Sequence, residues 1–182
     1  MYPLLGEPPV VEFVNTLYID LDGATDFLGT IDLARGWFSA LVPMILTDID
    51  RIDEPSRLEF VKLRDAIRSV FDSTERTDLD SPVSVLESAV NASPGRFTLV
   101  RGDQGRLLRR TIHDSASPAG AAAFLADAAI TVATTHGTGR VLICDRPACN
   151  LRYFQQHRRR RYCNPACANS DRQTRFQQRQ KN

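Results

Sequence analysis

The chain has 182 residues, 42% of them hydrophobic and 25% charged, which excludes a disordered or fibrous chain and fits one domain of about 150 residues plus a small appendage. No apolar run reaches the ~20 residues of a membrane-spanning helix, and Met1-Tyr2-Pro3 does not open a signal peptide, so a soluble, cytoplasmic protein with no membrane partner is expected. The formal net charge of +1 hides a segregation: residues 140–182 carry eleven basic and two acidic side chains, a net +9, against twelve basic and twenty acidic, a net −8, in residues 1–139. That asymmetry points to a basic module that meets a polyanion, carried on an acidic body.

In chain order, residues 10–18 are apolar and rich in strand formers, and their period does not separate a buried strand from a buried helix. Thr30 is placed to cap a helix carrying Leu33, Trp37, Phe38 and Leu41 that stops at Pro43. Glu54-Pro55-Ser56 opens a stronger helix, with Phe60, Leu63, Ile67, Val70 and Phe71 on one stripe. Ser81-Pro82 begins a shorter one through Val83, Leu86 and Val90, halted at Ser93-Pro94-Gly95. Residues 96–101 and 106–112 are β-rich runs around Gly102-Asp103-Gln104-Gly105, a hairpin signal. Residues 119–135 turn to alanine with Phe124, Leu125, Ala128 and Val132 on a helical stripe, predicting a largely buried helix that reaches the last segment through Gly137-Thr138-Gly139.

All four cysteines fall in that segment, spaced Cys144-x4-Cys149-x13-Cys163-x3-Cys167. Two close pairs separated by a dozen or more residues suit a tetrahedral four-thiolate zinc site. Two disulfides are the competing arrangement and need an oxidising compartment. Residues 141–144 read as a strand entering a knuckle closed at Cys149. Residues 152–154 and 161–163 read as paired short strands around a tip at 156–160, and Asn164-Pro165 as the start of a helix holding Cys167. Knuckle, hairpin and helix make a treble-clef-like arrangement, with too little apolar surface to fold without its metal. Arg172, Arg175 and Arg179 share one face of that helix, and Arg158, Arg159, Arg160 and Arg161 crowd the tip. Guanidiniums there suit phosphate or guanine, and the amides of Gln173, Gln177 and Gln180 suit adenine edges. The fold class is therefore α+β: a mostly helical N-terminal domain with a β-hairpin over 1–139, then the zinc module over 140–182.

Cys144-x4-Cys149, Phe154, the arginine run, Tyr162-Cys163 and Cys167-Ala168-Asn169-Ser170 resemble the CGNR zinc finger. Upstream, Phe13-Val14-Asn15-Thr16, Leu33-Ala34-Arg35-Gly36-Trp37 and Leu63-Arg64-Asp65-Ala66-Ile67-Arg68 are similar to the ABATE domain that usually precedes that finger. The resemblance implies a bacterial, stress-linked transcription regulator whose zinc ligands map onto Cys144, Cys149, Cys163 and Cys167. Ala168 stands where the signature has Gly and Ser170 where it has Arg, which leaves Arg172 as the nearby cation on the helix.

Other chemistry finds little footing. The chain has no Walker-type glycine loop, no G-x-S-x-G, no H-E-x-x-H and no deaminase His-x-Glu with Pro-Cys-x-x-Cys, and a closed four-cysteine site leaves no position for an activated water, so no enzyme is expected. His113-Asp114-Ser115 reads as a strand end or turn, His136 as a helix end, and His157 as part of the arginine run. Asn15 reads first as a buried amide bonded to backbone; its place in the family-like motif also makes it a candidate for lining the pocket of an unknown small-molecule effector. The expected function is duplex DNA binding for transcription control, with a homodimer to supply specificity. Protein interaction and RNA binding, with Tyr153, Phe154 and Tyr162 stacking on bases, are the alternatives.

Overall fold

The computed structural model describes residues 4–20, 23–41, 48–74, 77–102, 105, 107–113, 117–136, 140–147 and 149–181. Pro43, Asp103, Gln104, Asp114, Ser115 and the Gly137-Thr138-Gly139 linker lie outside them. The ambiguous first run is a helix, α1 (Pro9–Val14), followed by a strand, β1 (Leu17–Asp20). Pro9 sets the first helical φ, and Asn15 ends the helix. Val10, Val11, Phe13 and Val14 are all buried, so no polar face gives the helix a readable period. β1 pairs antiparallel with β2 (Gly23–Asp26).

Thr30 Oγ1 accepts from Leu33 N at 3.3 Å and starts α2 (Ile31–Leu41), which buries Ala34, Trp37, Phe38 and Leu41 but leaves Leu33 exposed. Asp53 caps α3 (Glu54–Phe71) by accepting from Ser56 N at 2.9 Å. The predicted stripe of α3 is buried from Phe60 to Phe71. Phe13, Trp37, Phe38 and Phe60 stack at the centre, with Phe38 and Phe60 ring centroids 4.5 Å apart. α4 (Asp80–Ala92) buries Leu86, while Val83 faces outward.

β3 (Arg96–Arg101) and β4 (Leu107–Ile112) form the predicted hairpin, from Arg96 opposite Ile112 to Arg101 opposite Leu107. Ser117 caps α5 (Pro118–Thr131), which continues as one π-type turn, Val132–His136. The stretch Pro118–Thr135, with mean hydropathy 1.2, is long and apolar enough to cross a membrane by length and composition, a property the run-length count passed over. Here it packs on α1, α3 and α4, with Ala121, Ala123, Leu125, Ala126 and Ala129 inside.

The last segment contains β5 (Val141–Ile143), β6 (Arg152–Phe154) and α6 (Pro165–Lys181). The pairing expected of 152–154 with 161–163 is replaced by β5 with β6, in the register Val141 to Phe154 and Ile143 to Arg152. Residues 161–163 bend toward the cysteines instead, where Cys163 N donates to Cys144 Sγ at 3.4 Å and Asp145 N to Arg161 O at 2.9 Å. Val141 and Phe154 join the main hydrophobic core, so the small module is built onto the larger domain.

A four-cysteine metal centre beneath a basic surface

The four cysteines are free thiols, their sulphurs all within 4.8 Å of one another, and Cys144, Cys163 and Cys167 are buried. Cys163 Sγ lies 3.5 Å from Cys167 Sγ and 3.9 Å from Cys149 Sγ. Zn–S bonds of about 2.3 Å give a tetrahedron whose edges are about 3.8 Å, so the donor set matches zinc in both type and spacing. In the thiol form, Cys163 donates to Cys149, which pulls Cys149 down to about 5 and pushes Cys163 up; burial raises Cys144 as well. The site therefore suits a divalent cation, which displaces the remaining protons and offsets part of the charge of the packed thiolates.

Outer contacts fix the ligands. Arg146 donates toward Cys167 Sγ at 3.8 Å, and Asn164 Oδ1 accepts from Cys167 N at 2.9 Å. Tyr153, 1% exposed, donates from its hydroxyl to Arg160 O at 2.8 Å and closes the tip over the site. Tyr162 OH donates to Asp171 Oδ2 at 2.6 Å. Both tyrosines are thus wedged into the module.

The seven predicted contact arginines separate by environment. Arg160 is a structural residue: it pairs with Glu7, bonds the carbonyls of Tyr162, Phe154 and Cys163, and lies over the Tyr153 ring at 4.7 Å. Arg161 is tied to Asp145 at 2.6 Å, and Arg175 to Asp171 at 2.8 Å. Arg158, Arg159, Arg172 and Arg179 are exposed, and Arg172 crosses to Asn169 Oδ1 at 2.7 Å, next to the departed signature position Ser170. Between the turn and the start of α6, a shallow concavity of about 340 Å³ is lined by Arg159, Arg161, Asn164 and Ala168. Phe176, 63% exposed, escaped the sequence reading. Its spacing from Arg172 and Arg179 puts it on their face of α6, and an aromatic amid arginines was the signal available.

Asn15 occupies neither described cavity. Its Nδ2 donates to Arg152 O at 2.8 Å and its Oδ1 accepts from Arg152 N at 2.7 Å, so the amide is spent on the backbone of β6. The sequence reading missed the acids beside it. Glu7 accepts from Phe154 N at 2.9 Å as well as from Arg160, and buried Glu12 accepts from Leu5 N and Glu7 N, each at 2.8 Å. Asp72 holds the buried Arg152 guanidinium. These groups clamp the metal module to the larger domain. A separate groove of about 450 Å³ runs between α3, α4 and α5, apolar inside with Glu59 and Lys62 among its lining. His113 sits behind the β3–β4 hairpin, its Nδ1 2.7 Å from Ser93 O, and His157 is exposed on the arginine turn.

A helical body with small hairpins, joined to a four-thiolate zinc site under an arginine surface, defines a zinc-finger protein with an appended domain. The ABATE family model, described as "Putative stress-induced transcription regulator", matches residues 7–136, and the CGNR zinc finger model matches residues 140–180. The chain belongs to the ABATE family and ends in a CGNR zinc finger. No curated protein matches it.

Proposed function

We propose that this protein is a DNA-binding transcription regulator whose zinc site holds α6 and the arginine turn in a fixed frame against duplex DNA. The observation that carries the reading is the division of the arginines. Those facing the larger domain are consumed in its clamp, while Arg158, Arg159, Arg172 and Arg179 stay exposed on one metal-organised module. Exposed guanidiniums on a rigid scaffold offer the charge and the bidentate donors that phosphates accept, and Phe176 adds an apolar contact for a base edge or methyl group. The aromatic residues that RNA stacking would require, Tyr153 and Tyr162, are engaged inside the finger. We read the protein as a binding module and not an enzyme, because four thiolates close the tetrahedron to an activated water.

The test is a salt titration of duplex DNA binding by the zinc-loaded chain. The finger's four phosphate contacts alone contribute about −3.6 to the slope of log affinity against log salt, at about 0.9 per contact. Arg172→Gln with Arg179→Gln flattens it by about 1.8. A slope near zero, or one unmoved by these substitutions, rejects the reading.

A further inference from the structure

Among the described residues of the larger domain, the most exposed large apolar side chains sit on the β3–β4 ribbon: Phe97, Leu99 and Leu107 are 64%, 72% and 65% exposed. The same short segment is a basic island. Residues 96–110 hold five arginines and a single acid, Asp103, a net +4, and removing them leaves the rest of residues 1–139 at −12. The ribbon packs chiefly on itself. A two-stranded hairpin in that situation is marginal in water and gains stability from whatever covers it. Six residues per strand at about 3.3 Å each make a projection of about 20 Å, and the major groove, about 12 Å wide, admits a two-stranded ribbon.

We propose that the β3–β4 ribbon is a second nucleic-acid contact, lying along the duplex bound by the zinc finger with its arginines on phosphates and its leucines against the groove wall. The inference rests on the DNA reading of the finger. Charge selects this occupant: Arg101 shares the face of β3 that carries Phe97 and Leu99, so a second copy seated on that face would set like charges against one another, and these repel. Duplex DNA offers the opposite charge at every step, and guanidiniums bind phosphate bidentately. An acidic protein surface is the rival that the test addresses.

The experiment compares the zinc-loaded full chain with two double variants, Arg96→Gln/Arg101→Gln on the ribbon and Arg172→Gln/Arg179→Gln on α6. Each is titrated with salt against a fluorescent duplex extending beyond the finger's footprint and mapped by hydroxyl-radical protection. Arg96 and Arg101 are exposed, so the ribbon variant keeps the wild-type melting temperature. Its salt slope falls by about 1.8, so the affinity lost over a fourfold rise in salt shrinks roughly twelvefold, at about 0.9 per phosphate. It loses protection on the flank while the finger's own protection remains. Leu99→Ser lowers affinity several-fold and leaves the slope unchanged. A wild type that binds beside a ribbon variant with unaltered slope and flank protection overturns the ribbon proposal and spares the finger. Ribbon variants that only aggregate, or that only lose a self-associated species in sedimentation, overturn it too. A wild type that leaves the duplex unbound overturns both readings.

Discussion

Asn15, Glu7 and Glu12 show how polar side chains inside an apolar run are accommodated. An amide has one strong acceptor and one donor group, and the backbone of Arg152 supplies the match for both, so Asn15 acts as one more rung on the edge of β6. Glu12 has a harder task, since its carboxylate is 2% exposed. Burial raises its pKa, and the two backbone amides that it accepts from offset only part of that cost. A carboxyl whose folded pKa lies above its unfolded value of 4.5 binds more protons folded than unfolded in the interval between them, so its contribution to stability falls as pH rises through that interval. Glu12→Gln removes this term and keeps an acceptor for both amides. The stability of Glu12→Gln minus that of the wild type, measured by urea unfolding, therefore climbs as pH rises from 4.5. Contributions common to both proteins, the metal site included, cancel in that difference; a flat or falling difference contradicts the account. Asn15 was legible as a buried amide because its neighbours are apolar. Its partner was not, since 137 residues separate it from Arg152 and no local spacing records such a contact.

At the scale of elements, the helices with a start signal or a composition of their own were readable: α3 through Glu54-Pro55-Ser56 and its stripe, α5 through its alanines and the stripe among them, while the caps Asp53 and Ser117 emerged only with the structure. α1 was not, because a helix buried on every side has no period to display. The finger's strands were mispaired in the reading because thiolate geometry, not ladder formation, decides where residues 161–163 go. The ribbon's boundaries were plain, but its attachment was not. At the corner where α4 hands over to β3, a Cβ on Gly95 would overlap Thr111 Cγ2 and lie 2.8 Å from His113 Cε1. Both neighbours are held, Thr111 in the ladder opposite Phe97 and His113 by Ser93 O. Gly95→Ala must displace the end of β4, and overpacking of this kind costs about 1–3 kcal/mol. The expected result is that loss in chemical denaturation, with amide exchange across β3 and β4 accelerated more than in α3; a variant as stable as wild type would show that the corner yields freely.

For the molecule as a whole, the acidic body and the basic finger are not beads on a linker. Val141 and Phe154 complete the body's core, Glu7 and Asp72 neutralise Arg160 and Arg152, and Asn15 binds β6 directly after the helix that carries Phe13 against Trp37. Arg160 in turn bonds the carbonyl of the zinc ligand Cys163 at 2.7 Å. β6 is both one wall of the clamp and a neighbour of the cysteine loops, so the expected outcome is that zinc loss loosens the clamp and that the metal stabilises residues far from any cysteine. Trp37 tests this without added probes, because it is the only tryptophan, is 2% exposed, and lies in the body's aromatic cluster. A chelator should lower the melting temperature read by Trp37 fluorescence by about 2–4 °C for each kcal/mol of coupling. Asn15→Ala leaves a peptide group of β6 without its buried partner and weakens the clamp by about 1–3 kcal/mol. The variant then melts lower with zinc present, and its Trp37 transition responds less to chelation than that of the wild type. If chelation erases the finger's structure while the Trp37 transition stays in place, the two parts fold independently, and the clamp is a contact without energetic consequence.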